Sequence, residues 1–122
     1  MTKRQEALLA RLEVWFEENE HMSVGDAAQA MHMPPAAAQA VTAIGINEGR
    51  LVLIGDKVYT TLWLEKFFTK LFAELGTEPF PPSRLREVVG QGRQWTNALA
   101  ICLEEQRLLD REAGGWCLKQ RA

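Results

Sequence analysis

Two stretches of this 122-residue sequence carry the same succession of patterns: a helix, a short helix, a longer helix and two β-prone runs. In the alignment of the two copies, Leu108 follows Leu51 at a spacing of 57. Repetition at this period predicts two similar small domains, residues 1–60 and 61–122. The predicted fold is mostly α with small β-hairpin wings (α+β), that is, two tandem winged-helix domains, each a helix-turn-helix followed by a hairpin.

The first domain is predicted from its capping and turn residues. Thr2 and Gln5 form a capping box at the start of the first helix. A short helix is expected over Asp26–Met31, and a third helix over Ala36–Glu48 is rich in alanine and contains no Lys or Arg. The loop Gly55-Asp56 joins two β-prone runs into a hairpin. Without cations on its third helix, this domain is expected to act as a structural spacer.

The second domain repeats this order. After a helix over Leu62–Leu75 and a short helix, the run Gly90–Gly92 allows a sharp turn, and a longer helix follows over Arg93–Gln106. In this alignment Phe80 corresponds to Val24. The second domain therefore has the helix-turn-helix whose longer helix takes the position that reads nucleic acid in many proteins.

The composition is that of an ordinary globular protein, with 47% apolar and 25% charged residues. No run approaches the roughly 18 apolar residues of a membrane helix, and the N-terminus lacks the apolar core of a signal peptide. A cytoplasmic protein without membrane contact is expected.

Neither catalysis nor metal binding is indicated. Cys102 and Cys117 lie within apolar patterns and are predicted to be reduced core thiols, and with His21 and His32 they form no ligand set. GQGR does not follow a strand, and there is no phosphate-loop motif or Ser/His/Asp set. No enzyme activity, metal or cofactor is expected in this chain.

The distribution of charge favours the second half as a docking surface. The formal net charge of −2 argues mildly against a polyanion as partner of the whole chain. Residues 1–75 hold 7 Lys/Arg and 10 Asp/Glu, whereas residues 76–122 hold 7 and 6. Only the second half is a plausible surface for nucleic acid, and the alternative is that its arginines are merely solvated.

The candidate contact surface is the start of the longer helix, Gly92-Arg93-Gln94-Trp95-Thr96-Asn97. Its guanidinium, amide, hydroxyl and indole groups can bond phosphates and base edges or stack on an unpaired base. A cation such as Arg93 is unfavourable at a helix N-terminus, and a bound phosphate would compensate. Trp95 has the spacing of Leu99 and Cys102, so a core position is the alternative for it.

Arginines are placed around this helix and the second hairpin: Arg84, Arg86, Arg93, Arg107 and Arg111. A winged helix that reads nucleic acid carries its cations there, so Arg84, Arg86 and Arg111 join the candidate site. The alternative is that Arg84 and Arg86 are solvated, with Arg86 paired to Glu87 or to a neighbouring acid. Arg111 has two acidic chain neighbours with which it can pair, Asp110 and Glu112.

A resemblance to a known family rests on these residues. The second domain contains VVGQGRQW followed by ALAICLEEQRLLDRE, and it resembles the last winged-helix domain of the bacterial selenocysteine-specific elongation factor. That family's pattern is approximately L-G-x-G/S-R-K, an apolar helix, and F/L-T-R-R-x-G. Upstream, GDKVYTTLWLEKFFTKLFAEL is similar to the preceding wing and connecting helix of the factor, so the resemblance covers most of the chain.

The resemblance implies a function and partners. It implies an RNA-binding C-terminal arm that grips the selenocysteine-insertion hairpin of mRNA as a monomer. The GTP-binding part, and contacts with the ribosome and selenocysteyl-tRNA, would belong to the full-length factor. Carried over by position, Arg93 matches the motif arginine, Gly90 and Gly92 the turn glycines, Arg86 the arginine of the short helix, and Arg111 one arginine of the wing.

The chain also departs from the family pattern. Gln94 stands where lysine is usual, Asp110 where the wing has an arginine, and Arg107 where a glycine closes the helix. Asn97 replaces an apolar residue, and the wing tip over Glu112–Gly115 lacks the usual Gly-Asp. Two cations are thereby lost from the expected RNA face, which implies weaker binding, a different hairpin, or a relative that no longer binds RNA.

Two other functions fit the same sequence. A free-standing tandem winged-helix regulator would bind duplex DNA, and as a dimer it would protect two half-sites a helical turn apart. A protein–protein scaffold is compatible with the alanine-rich first domain and predicts binding insensitive to salt and to all five arginines.

Overall fold

The computed structural model describes residues 1–112 and 114–120, so Ala113 of the wing tip lies outside the described residues. Within these ranges the chain is mostly helical with two small antiparallel hairpins, which is consistent with the expected α+β fold of winged-helix type. The chain divides into two compact units, unit 1 (Met1–Leu64) and unit 2 (Glu65–Ala122). The division falls inside a helix, whereas the sequence places it after residue 60.

Unit 1 runs in the order α1 (Lys3–Glu18), α2 (Val24–Ala30), α3 (Pro35–Asn47), β1 (Leu51–Ile54) and β2 (Lys57–Thr60). The predicted capping box is confirmed, with Gln5 N donating to Thr2 Oγ1 at 3.1 Å and Thr2 N to Gln5 Oε1 at 2.9 Å. Helix α2 begins at Val24, earlier than the sequence suggests. The cause is Ser23, whose hydroxyl accepts the N–H of Asp26 and caps the helix.

The core of unit 1 is built from the apolar stripe of α1 and the small residues of α2 and α3. Leu9, Leu12 and Phe16 of α1 are fully buried. They cluster with residues of the other elements, among them Ala27, Ala28, Ala38, Val41, Leu51 and Val58. The alanines therefore serve close packing, because their small side chains let the helices approach. The hairpin has the predicted two-residue loop, with Ile54 opposite Lys57.

Unit 2 begins inside α4 (Thr61–Leu75), since the first residues of this helix belong to unit 1. It continues with α5 (Pro82–Val89), α6 (Arg93–Glu105), β3 (Leu109–Glu112) and β4 (Gly115–Leu118). Proline occupies the first turn of α5, where its missing N–H costs nothing. Gly90 ends this helix with φ 72°. The buried apolar residues of these later elements include Leu85, Leu99, Leu103, Leu109 and Leu118.

Corresponding elements of the two units are separated by the same number of residues. The first residues of α1, α2, α3, β1 and β2 lie 58 positions before those of α4, α5, α6, β3 and β4. The isolated β-bridges follow the same offset, since Met22 pairs with Val58 and Phe80 with Trp116. The correspondence of Phe80 with Val24 is therefore wrong, and Phe80 matches Met22. These bridges tie the segment before the second helix of each unit to the returning strand of its hairpin.

The correspondence of Leu108 with Leu51, at a spacing of 57, is also wrong. Leu108 N donates to Leu103 O at 2.8 Å, and Arg50 N donates to Gly45 O at 2.8 Å. Leu108 therefore occupies the turn position of Arg50, and the strand begins one residue later. The sequence could not show this, because two leucines in succession leave the start of the strand ambiguous.

Left-handed backbone occurs at two corresponding positions of the units. At the first, His32 has φ 52° and Gly90 has φ 72°. At the second, Gly49 has φ 75° and Arg107 has φ 60°. Arg107 stands where the resembling family has glycine, and its backbone keeps the glycine conformation at a cost of about 1 kcal/mol.

Candidate nucleic-acid interface

The start of α6 is an open helix N-terminus. Gly92 precedes the helix with φ −66° and ψ 165°, and no side chain caps the first N–H groups. A Cβ added to Gly90 or Gly92 would meet no described heavy atom within 4 Å, so the turn is open on the outside. The buried Thr96 hydroxyl donates to Gly92 O at 2.9 Å and fixes the turn from the inside. Backbone N–H groups at such a site favour an anion.

Arg93 and Gln94 are exposed on the first turn of α6. Within residues 1–112 and 114–120, the Arg93 side chain makes neither an ion pair nor a hydrogen bond. Asn97, one turn further along, is exposed as well, and its i, i+4 spacing from Arg93 places both residues on one face of the helix. We call Gly92, Arg93, Gln94 and Asn97 the α6-start surface.

Trp95 is partly in the core, as its spacing allows. Its ring is half-buried and meets the Phe67 ring edge to face, with the centroids 6.2 Å apart. Such a pair stabilises the packing of α6 against α4 within unit 2. The exposed part of the indole lies next to the α6-start surface in sequence, so a structural role and a contact with a base are compatible.

The arginines of α5 differ in their partners. Arg84 is exposed and its Nη1 lies 3.3 Å from Glu87 Oε2. The pairing of Glu87 with Arg86 is therefore wrong. Residues three apart are neighbours on a helix surface, whereas adjacent residues point in different directions. Arg86 is half-buried and forms no ion pair within the described part of the chain.

The wing arginine is also paired, but with a residue the sequence did not indicate. Arg111 Nη2 lies 2.8 Å from Glu104 Oε1, and its guanidinium lies 6.0 Å from the centre of the Trp116 ring. Pairing with Asp110 or Glu112 is wrong because adjacent residues of a strand point to opposite faces. The ion pair lowers the pKa of Glu104 and raises that of Arg111. The Arg111 guanidinium is therefore partly engaged in contacts within the protein itself.

The five arginines do not form one cluster. Arg93 lies at the first residue of α6, while Arg107 follows its last turn. A helix of 13 residues is about 20 Å long, so these two side chains lie at opposite ends of the helix. Asp110, which stands where the family has a wing arginine, pairs with Lys119 at 3.2 Å. Among the described residues, Arg86, Arg93 and Arg107 make no ion pair, and of these only Arg93 lies at an uncapped helix start.

The thiols have structural surroundings. Cys102 is buried, and desolvation together with the nearby Glu105 raises its pKa to about 11. Cys117 is half-buried and its Sγ donates to Thr77 O at 2.7 Å. Both are free thiols.

No group of three potential metal ligands occurs among the described residues. Within the same residues, no helix has the length and apolar character that a membrane span needs.

The corresponding site in unit 1 has different chemistry. Helix α3 starts after Pro34 with Pro35, which has no N–H, and Ala36 takes the position of Gln94. Arg4 of unit 1 lines a pocket together with Pro34 and Ala37 at the start of α3. The first turn of α3 nevertheless lacks the N–H and the guanidinium of Arg93 and the side-chain amide of Gln94.

Two solved structures have the same fold. One is the mRNA-binding domain of elongation factor SelB from E. coli in complex with SECIS RNA. Its TM-score is 0.74 at 18% identity, over 98% of this chain and 100% of that one. The other is the bacterial selenocysteine-specific elongation factor EF-Sec, with a TM-score of 0.71 at 17% identity, over 98% of this chain and 20% of that one. No protein-family model and no curated protein sequence matches. The resemblance to the C-terminal region of this factor is confirmed for the fold.

Proposed function

We propose that this chain is the RNA-binding C-terminal arm of a selenocysteine-specific translation elongation factor, and that it consists of two tandem winged-helix domains. Unit 2 recognises the selenocysteine-insertion hairpin of the mRNA, and unit 1 supports it. The observation that carries the proposal is the α6-start surface, where an uncapped helix N-terminus lies beside an arginine without an acidic partner in the described residues. The similarity in fold to a complete mRNA-binding domain supports it.

The geometry suggests a division of roles. A phosphate that approaches Gly92 meets uncapped backbone N–H groups and the Arg93 guanidinium together. Gln94 and Asn97 carry amides that can bond base edges, and a base splayed from a loop can stack on the open part of Trp95. Phosphate contacts fix the register of the RNA, while the amides and the indole supply preference for sequence.

Departures from the family pattern determine how strongly the chain is expected to bind RNA. With glutamine at position 94 and an Asp110–Lys119 pair in the wing, two family cations are missing. Each lost phosphate contact lowers the salt dependence of binding by about one counterion. Binding weaker than in the rest of the family, or a preference for a different hairpin, follows.

The remaining activities are assigned to a longer protein. GTP hydrolysis and contacts with selenocysteyl-tRNA and the ribosome are proposed for other parts of a full-length factor, and no enzyme activity is proposed for this chain. It would act in the cytoplasm as a monomer on one hairpin. This assignment agrees with the chain spanning a fifth of EF-Sec.

A competition experiment tests the function. The complete chain is titrated into a fluorescent selenocysteine-insertion hairpin RNA, with unlabelled hairpin or duplex DNA as competitor, and gel filtration gives the stoichiometry. Displacement by hairpin RNA, with one chain per hairpin, is expected. A duplex-DNA regulator would instead show dimers displaced by DNA, and a protein scaffold would show no salt-dependent binding to either. Either result would contradict the proposal.

A further inference from the structure

An acidic groove lies on unit 1, between α1 and the first turn of α4. Its volume is about 270 Å³, and its lining residues are Glu13, Val14, Glu17, Glu18, Thr60 and Leu62. This is smaller than the roughly 300–1,000 Å³ of small-molecule sites. The groove has room for an aliphatic side chain of a partner.

The floor of the groove is apolar and open to solvent. Val14 is 57% exposed and Leu62 is 51% exposed. The buried stripe of α1 runs through Leu9, Leu12 and Phe16 instead, so the core of unit 1 has no need of an apolar residue at position 14. Exposed apolar side chains within a polar rim are typical of interaction sites.

The rim of the groove carries an excess of negative charge. All the charged lining residues are glutamates, and Arg50, the cation bound to Glu13, is shared with Glu6 and Glu48. The Thr60 hydroxyl donates to Glu17 and fixes that carboxylate beside Leu62. Unit 1 as a whole holds five Lys/Arg and eight Asp/Glu. Such a surface repels phosphates and attracts cations.

We propose that this groove binds a basic amphipathic segment of a partner protein. An aliphatic side chain of the segment packs on Val14 and Leu62, and a flanking Lys or Arg side chain pairs with Glu18. RNA is excluded as the occupant because its phosphates would face three carboxylates. Docking of a protein on unit 1 does not depend on RNA binding by unit 2, and it gives the spacer unit a function of its own.

The test uses a synthetic amphipathic Lys/Leu helix as the probe and a Glu/Leu helix of the same pattern as the reference. Backbone NMR shifts of the complete chain are followed during titration. The Lys/Leu probe is expected to shift the amides around Val14 and Leu62, and raised salt should weaken its binding. The double variant Glu18→Gln/Leu62→Ser should bind it about tenfold more weakly, because one carboxylate and one leucine leave the contact.

A matched control removes the same groups elsewhere on unit 1. Asp56→Asn/Leu53→Ser deletes one exposed carboxylate and one leucine that is 49% exposed, and neither residue lines the groove. Its binding of the probe should equal that of the parent chain. Equal losses in both variants, shifts spread over unit 1, equal binding of the Glu/Leu helix, or a groove closed by a second copy in sedimentation would overturn the proposal. Unchanged circular dichroism of both variants verifies folding.

Discussion

Helices α3 and α6 occupy the same place in the two units, 58 positions apart, yet they begin with different chemistry. Where α3 has Pro35 and Ala36, α6 has Arg93 and Gln94. The surrounding backbone is shared, down to the left-handed residue that ends each preceding helix segment, His32 or Gly90. The fold is therefore set by the apolar positions and turns, while a few exposed residues decide whether a helix start can hold a phosphate.

Two arginines, one from each unit, show what an acidic partner changes. Arg50 of unit 1 is bound by Glu6 and Glu13, and these hydrogen bonds raise its pKa. Arg93 of unit 2 makes no ion pair with any described residue. A cation held by carboxylates contributes to the protein surface and little to ligand binding, whereas a cation without them retains its full attraction for phosphate.

The largest effect is expected where the two units pack differently. A Cβ on Gly45 of α3 would lie 2.7 Å from Leu9 Cδ1 and 2.9 Å from Leu51 Cδ1, while the corresponding residue of α6 is Leu103. Gly45→Ala should therefore lower the free energy of unfolding by about 1–3 kcal/mol, measured by urea denaturation. Gly25→Ala, in a helix with open space, is the control and should be neutral or stabilising. Equal stability of Gly45→Ala would mean that the core of unit 1 is looser than described.

Much of this architecture follows from local signals. Thr2 and Gln5 define the start of α1, Gly55-Asp56 sets the first hairpin, and the glycines at 90 and 92 mark the turn before α6. These positions were predictable because capping and turn residues act within four residues of the chain. Helix α2 begins at Val24, two residues before the expected Asp26, because the Ser23 hydroxyl caps it.

The next effect concerns the left-handed residue that closes α3 and α6. Arg107→Gly should raise the free energy of unfolding by about 0.5–1 kcal/mol, because glycine adopts φ 60° without strain. Gly49→Ala should lower it by about 1 kcal/mol, since its φ is 75° and no atom within 4 Å adds a clash. Urea denaturation measures both. Changes of the same sign would show that the two turns are not equivalent.

The partners of the arginines could not be predicted from sequence. Glu104 and Arg111 are brought together by the packing of β3 against the end of α6, a tertiary contact that no local spacing encodes. The sequence offered the acidic neighbours at 110 and 112 instead, which the alternation of the strand turns away. Which arginines lack an acidic partner could therefore be learned only from the structure.

The smallest effect is the pH dependence of the Arg111–Glu104 pair. The pKa of Glu104 is lowered from 4.5 in the folded chain, so its contribution to stability is present above 4.5 and is lost as the pH falls through the lowered value. Glu104→Gln should remove this contribution and flatten the loss of stability in acid, as measured by thermal denaturation between pH 3 and 7. An unchanged pH profile would mean that Arg111 is as available to RNA as Arg93.

The affinity of the chain for the selenocysteine-insertion hairpin RNA, measured for Arg93→Ala beside Arg84→Ala over a range of salt concentrations, tests the central claim most directly. Both residues are exposed arginines of unit 2, but Arg84 already pairs with Glu87. Arg93→Ala should bind about tenfold more weakly and show a salt slope smaller by about one, while Arg84→Ala should bind nearly as the parent chain. Equal affinity of Arg93→Ala and the parent chain at low salt would contradict the account.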